Sequence, residues 1–478
     1  MRAMASAIDL LSWTRARSTL VAATVALVAC GNKGGAGAAP AADAGQDATE
    51  PPEAGEGGED SVAYPAFPID APQVRKNQGT IIAAPVIVTV TWPGDTYAPT
   101  WEGFGDAIGA STYWSATTSE YGVGPATSGP SNHVRMTQPL PSTFSYTDMQ
   151  GFVVAWVQAA LADAGAPEAG ADAGDAGAPD PTWPAPTLDA SGNDRTIYSL
   201  FVPASTDETD PGSHMGFCVE GGFAYHDDVI VDGKPIAYAV TLECSSMTLP
   251  DLEESAAHEM VEAATDPDSE SSPPVGYIGF DTNHVAWDLY TGYNDELADA
   301  CQNWQDSYIQ QTGTFPYWVQ SSWSNTAALA GHDPCVPHAA GPYHGMTVLP
   351  SQEATVPIDL ASLGDTTTKQ TQGFKVTVGQ PLTFQIGYFS DAPTAPWTIS
   401  YDFPTDLYFI ETTLGNGTAT VAIDKKSGQN GDVANVTVTV KTKAPAGFHV
   451  LAITWDPPTG ADAAMYLPHY LPLVLVDQ

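Results

Sequence analysis

Residues 249–267, Leu-Pro-Asp-Leu-Glu-Glu-Ser-Ala-Ala-His-Glu-Met-Val-Glu-Ala-Ala-Thr-Asp-Pro, hold the side chains best spaced for chemistry. His258 and Glu262 are four apart, so on a helix they project from one face on successive turns. An imidazole nitrogen and a carboxylate oxygen so placed can grip one divalent cation and leave room for water. Such a cation lowers the pKa of its water towards neutrality, and Glu259, next to His258, can take that proton as general base. The competing reading of the same five residues is a solvated, charged helix face. The flanks weigh against it: Ala256, Ala257, Met260, Val261 and Ala263 argue for a largely buried helix. Buried His and Glu want partners or a metal.

A third ligand is required, and Asn294-Asp-Glu-Leu-Ala-Asp-Ala-Cys301 is the best source. Glu296 and Asp299 are three apart and can face the same way on a helical turn. Asp299 is the preferred ligand, because Cys301 two residues on is expected in a disulfide that would fix its position; Glu296 comes next. Their bland readings are a local cap or salt bridge for Glu296 and burial against backbone amides for Asp299. His226, in Ala-Tyr-His-Asp-Asp, and His284 rank well behind, each read as a structural histidine. Two carboxylates make the set richer in oxygen than zinc usually takes. Zinc is expected first, and this oxygen-rich set keeps manganese or calcium as alternatives.

The elements that must position these residues are legible around them. Thr248 can cap the helix, Pro250 suits its first turn, Asp251, Glu253 and Glu254 complement its positive end, and Pro267 stops it. Ile81–Trp92 is β-branched and apolar, a buried strand, and Thr196–Val202 is another. Thr147 can cap an amphipathic helix carrying Met149, Phe152, Val153, Trp156, Val157, Ala160 and Leu161. Val229–Val240 reads as a hairpin about Asp232-Gly233. Strand, helix, strand and hairpin before the 249–267 helix predict a layered domain over 63–340, α+β or α/β, with α+β preferred. From 345 to 478 short runs alternate with turn residues: 374–378, 382–389, 397–403, 407–413, 418–423, 436–441 and 450–455, with a hairpin connection at 414–417. That pattern predicts an all-β sandwich of immunoglobulin-like type, a spacer or binding module. Asp406 and Glu411 within it are read as a solvated loop face rather than a calcium site. The Trp and Tyr residues of 273–323 are read as core packing before a substrate groove.

Length and composition bound the rest. The 478 residues allow two or three domains, and 43% hydrophobic with 10% aromatic content can build real cores. Against 15 Lys and Arg stand 56 Asp and Glu, a formal charge of -41, which repels phosphate backbones and argues against nucleic acid as a partner. Part of that excess lies in two low-complexity stretches. Residues 31–62 read as a solvated tether, and 163–186 as a flexible surface insertion. Arg2, Arg15 and Arg17 precede an apolar run from Leu20 to Ala29, an export signal over residues 1–30. Leu27-Val-Ala-Cys30 resembles the bacterial lipobox, which implies a lipid on Cys30 that would hold the chain to a membrane face. Without Cys30, four of the five cysteines remain, an even number for an oxidising compartment. Of three possible pairings, Cys218–Cys244 and Cys301–Cys335 are the simplest by proximity. Nothing in the sequence sets an oligomeric state.

With these motifs in place a resemblance becomes specific. His258-Glu-Met-Val-Glu262 is similar to the HExxH helix of zinc peptidases, with a carboxylate for the second His. The order HExxE-x-x-Thr-Asp-Pro, then Glu-Leu-Ala-Asp-x-Cys, then Tyr317-Trp-Val-Gln-Ser-Ser-Trp-Ser-Asn325 before Cys335 resembles the phosphate-induced (Exordium-like) family and bacterial exported relatives. Trp92-Pro-Gly, Tyr113-Trp, Tyr121-Gly-Val-Gly124 and the Phe217-Cys218…Tyr225-His226 segment agree with it. The likeness covers roughly 78–340; the acidic insertion and the long 268–295 spacer depart from it. It implies a metallopeptidase-like domain in a cell-envelope lipoprotein, acting on an extracytoplasmic protein or peptide. The alternative is a non-enzymatic envelope binding or signalling protein whose HExxE cluster is structural.

Overall fold

The computed structural model describes residues 63–164, 182–209, 216–220, 223–267, 276–291, 296–302, 307–338, 340–361, 368–404, 418–456 and 469–478. The export signal, Cys30, the 31–62 tether, residues 165–181 of the insertion, the 407–413 strand and the 414–417 hairpin lie outside the described residues, as do Asp406 and Glu411.

A five-stranded sheet organises the first unit. Its strands are β1 (Val86–Thr91), β2 (His133–Arg135), β3 (Thr196–Val202), β4 (Ala224–Val231) and β5 (Lys234–Leu242), in the order β2-β1-β3-β5-β4. The first four are parallel, and β4 runs antiparallel along the edge. The sheet is covered on both faces, which is why β3 is apolar almost throughout and buried at every position. Strand period two divides its side chains between two cores. Ile87, Ile197, Phe201, Ala237 and Ala239 face one layer, whereas Val88, Val90, Tyr198, Leu200, Tyr238 and Val240 face the other. The Asp232-Gly233 turn is as the sequence predicts: both residues have positive φ (50° and 77°), the geometry of a two-residue hairpin.

Helices α1 (Ala98–Ile108), α2 (Thr112–Thr118) and α4 (Leu249–Thr265) cover the first face, and α3 (Tyr146–Ala164) covers the second. Two differences from sequence expectation are local. The strand expected over 81–92 shortens to 86–91, and Ile81 to Pro85 become a connection whose Ile82 amide bonds the end of α4. Helix α3 is capped by Ser145, not Thr147: the Ser145 backbone amide and hydroxyl both donate to Asp148, and the Asp148 amide donates back to the hydroxyl.

The C-terminal unit is two sheets sharing one apolar core, into which Phe384, Ile386 and Tyr388 enter from one sheet and Phe374, Ile399, Leu451 and Leu473 from the other. The runs expected at 374–378, 382–389, 397–403, 418–423, 436–441 and 450–455 appear as strands Thr368–Val376, Pro381–Ser390, Trp397–Asp402, Ala419–Ile423, Val433–Val440 and Phe448–Asp456. His344–Val348, Ala354–Asp359 and Tyr470–Asp477 are additional strands. The short helix α5 (Val285–Thr291) joins the two units: Leu289 packs with Phe448, Val450 and Val474, and the Trp287 and Tyr470 rings lie 5.2 Å apart. Both expected disulfides are present, Cys218–Cys244 and Cys301–Cys335.

Candidate metal centre

Helix α4 begins as its sequence requires, with the Thr248 amide and hydroxyl both donating to Asp251. It packs on the sheet face where β5 presents small side chains, Ala237 and Ala239, and its Ala256, Ala257, Ala263 and Ala264 belong to the same core. Small residues on both sides let the helix lie close. Twelve of its residues are buried, including His258 (8% exposed), Glu259 (7%) and Glu262 (1%).

A second segment brings carboxylates to that face. Residues 296–302 cross the end of the helix and finish in the short helix α6 (Asp299–Gln302). The Trp323 amide donates to the Leu297 carbonyl at 3.0 Å, and the Cys301–Cys335 disulfide ties down the far side. Glu296 and Asp299 do not share one helical face as their spacing suggests. Glu296 precedes the turn and approaches His226, whereas Asp299 opens α6 and approaches His258.

The distances define the cluster. His258 Nε2 lies 2.8 Å from Glu262 Oε2 and 3.4 Å from Asp299 Oδ1. One donor atom from each of these three residues falls within 4.8 Å of the others, close enough to share one ion. Two of these donors are also oriented from behind. Strand Trp318–Gln320 carries Gln320, whose Nε2 donates to the Ala298 carbonyl at 2.9 Å and whose Oε1 lies 3.0 Å from His258 Nδ1. A carbonyl only accepts, so the amide end facing Ala298 is the NH2, the end facing His258 is the oxygen, and His258 Nδ1 carries a hydrogen. That leaves Nε2 as the coordinating nitrogen. The other oxygen of Glu262, Oε1, accepts the amides of Ala298 (2.8 Å) and Asp299 (3.1 Å), which leaves Oε2 for an ion. Asp299 Oδ1 accepts from Gln302 at 2.9 Å. An imidazole and two carboxylates with such supporting bonds fit a divalent cation.

His226 is the correction to the sequence reading, which ranked it far behind. It lies opposite Ala239 in the β4–β5 ladder, and directly opposed residues share a face, so its ring projects towards α4. Its Nε2 lies 3.1 Å from the Asp266 carbonyl, so that nitrogen donates, and Nδ1 faces Glu259 (3.2 Å), Glu296 (3.6 Å) and Glu262 (3.8 Å). The turn at Asp232-Gly233 sets this register, so the signal was in the sequence. His284 is elsewhere, bonded to Asp281 and Asp70. Tyr277, Trp287 and Trp323 are core residues, as read, and Phe280 packs in the same core.

Charges in the cluster are strongly coupled. Burial opposes charge on His258, but Glu262, Glu259 and Asp299 outweigh it and hold the imidazole protonated well above its ordinary range; His226 behaves likewise beside Glu296 and Glu259. Burial also works against Glu262, yet the two imidazoles and the Ala298 amide hold its carboxyl at about 2. Burial pushes Glu259 up, and it pushes Glu296 well up with help from Glu262 and Asp299. In this state a proton on His258 Nε2 occupies the place of a cation, which would displace it on binding.

No family profile matches the chain, and no curated protein matches it. Solved structures of an S-layer protein align with parts of it. Domains 4 and 5 of SbsC align at 14% identity over 39% of this chain and 76% of theirs, with a TM-score of 0.15. A six-domain SbsC structure aligns at 12% identity over 56% of this chain and 37% of its own, also at 0.15. These superpositions are too loose to carry an assignment.

Proposed function

We propose that the chain is an exported, lipid-anchored envelope protein whose α+β domain is a metal-dependent peptidase acting on extracytoplasmic protein or peptide. The observation that carries this reading is the convergence of His258 Nε2, Glu262 Oε2 and Asp299 Oδ1, with His258 and Glu262 each fixed from behind by bonds that leave the inward donor atom free. Zinc is the first choice of ion, with manganese or calcium as alternatives for so oxygen-rich a set. A bound cation there would supply Lewis acidity, polarising a carbonyl and acidifying water.

The remaining work falls to the chain. Glu259, whose Oε1 lies 4.0 Å from His258 Nε2, takes a proton from the attacking water and returns it to the leaving amine; burial, by raising its pKa, suits it to both steps. Edge strand β4 pairs with no further strand on its outer side among the described residues, so an extended peptide could add to the sheet there. An extended substrate seated there would pass beside His226.

The resemblance to the Exordium-like family and the HExxE helix agree with this reading. The two disulfides are compatible with an extracellular or envelope location, and no described helix is long and apolar enough to cross a membrane. The lipid on Cys30 belongs to the proposal. The test is Glu259→Gln. It is expected to retain its metal by elemental analysis while peptide hydrolysis falls about 100-fold or more. Wild-type protein that holds metal yet cleaves no peptide would instead make the cluster structural, in a non-enzymatic envelope protein.

A further inference from the structure

The reading of one cation leaves His226 and Glu296 unused, although both are aimed into the same cluster. His226, Glu262 and Glu296 form a second triad, each offering one donor atom within 4.8 Å of the others, and His226 Nδ1 lies 3.6 Å from Glu296 Oε2 and 3.8 Å from Glu262 Oε2. His226 is prepared as His258 is. Its Nε2 hydrogen is given to the Asp266 carbonyl at 3.1 Å, which leaves Nδ1 as the coordinating nitrogen of the neutral ring. The triads share Glu262 alone. Its Oε2 is 2.8 Å from the first imidazole and 3.8 Å from the second.

We infer that the centre is dinuclear: two divalent cations bridged by the Glu262 carboxylate. One is held by His258 and Asp299, the other by His226 and Glu296. This rests on the reading of the cluster as a metal centre. Four carboxylates, Glu259, Glu262, Glu296 and Asp299, converge with two imidazoles, and two divalent cations would match four carboxylates in charge once both imidazoles are neutral. Ligand type agrees as well. Each triad offers one nitrogen and two oxygens, a set suited to zinc or manganese, with positions left for water.

The test counts ions rather than activity. The full chain, without an affinity tag, is stripped with chelator, equilibrated at buffered free zinc and analysed for zinc per chain. Wild type is expected to hold two, and His226→Ala and Glu296→Gln one each. A manganese-loaded sample is expected to show an exchange-coupled paramagnetic spectrum that His226→Ala converts to that of isolated ions. One zinc in wild type overturns the second ion and leaves the His258 centre standing. No zinc in wild type overturns both. Two zinc ions retained in both variants places the second ion elsewhere and also overturns the inference. Should His226→Ala fail to fold, Glu296→Gln gives the answer, since its side chain is 28% exposed and its loss leaves less behind.

Discussion

Replacing Gln320 by methionine removes the hinge of the candidate centre while keeping its bulk. Two buried groups then lose their partners: the Nδ1–H of His258, 3.0 Å from Gln320 Oε1, and the carbonyl of Ala298, 2.9 Å from Gln320 Nε2. Each unsatisfied group costs about 1–3 kcal/mol of folding stability in so buried a place. The larger consequence is for the ion. Freed of its acceptor, His258 is no longer held to one ring orientation, and loss of such a supporting bond weakens metal binding about 10- to 100-fold. Gln320→Glu separates the two effects. Its carboxylate still accepts from His258 but sets an oxygen against the Ala298 carbonyl, so stability falls while zinc affinity is kept. The assay is competition for zinc against a chromophoric chelator, with thermal unfolding measured on the same samples. A methionine variant that binds zinc as tightly as wild type would refute the orientation argument, and so would equal losses in both variants.

Two further predictions concern residues outside the cluster. His284 is buried, which disfavours its charge, but Asp281 at 2.8 Å and Asp70 at 3.4 Å push its pKa up to about 9. Its folded pKa thus exceeds the unfolded value of about 6.5, so the stability it contributes is full below that pH and is lost as pH rises through 9. Urea unfolding from pH 6 to 10 should show wild type losing its margin over His284→Asn across that window; a constant difference would contradict the pairing. Cys335→Ser opens a loop spanning 34 residues and should lower stability by about 3–4 kcal/mol on the chain-entropy account. Because Cys301 anchors the turn that carries Asp299, zinc affinity should fall in the same variant, and unchanged affinity would show that the disulfide does not position that carboxylate.

Much of this architecture was written locally in the chain. The Thr248 cap, the Pro267 stop and the His258–Glu262 spacing mark the helix of the candidate centre, and it runs over Leu249–Thr265. Asp232-Gly233 marks the hairpin. What the sequence concealed depended on relations between elements. His226 looks like any strand histidine until the hairpin register sets it opposite Ala239, on the face that α4 covers. Glu296 and Asp299 look like neighbours on one turn, but the chain becomes helical only at Asp299, so their carboxylates part towards different imidazoles. In the sandwich, Pro472 and Pro357 disguise two strands, because proline removes a ladder donor. The first lies opposite Ala452 in a strand whose other neighbour pairs only from Leu475 onward, and the second is on an edge strand, where the missing donor costs little.

The most direct measurement is anomalous diffraction at the zinc absorption edge from crystals of the zinc-loaded chain. The account predicts density at bonding distance, about 2.0–2.2 Å, from His258 Nε2, Glu262 Oε2 and Asp299 Oδ1, with Gln320 still on His258 Nδ1. Zinc bound only elsewhere, with these three atoms turned to ordinary protein hydrogen bonds, would contradict it.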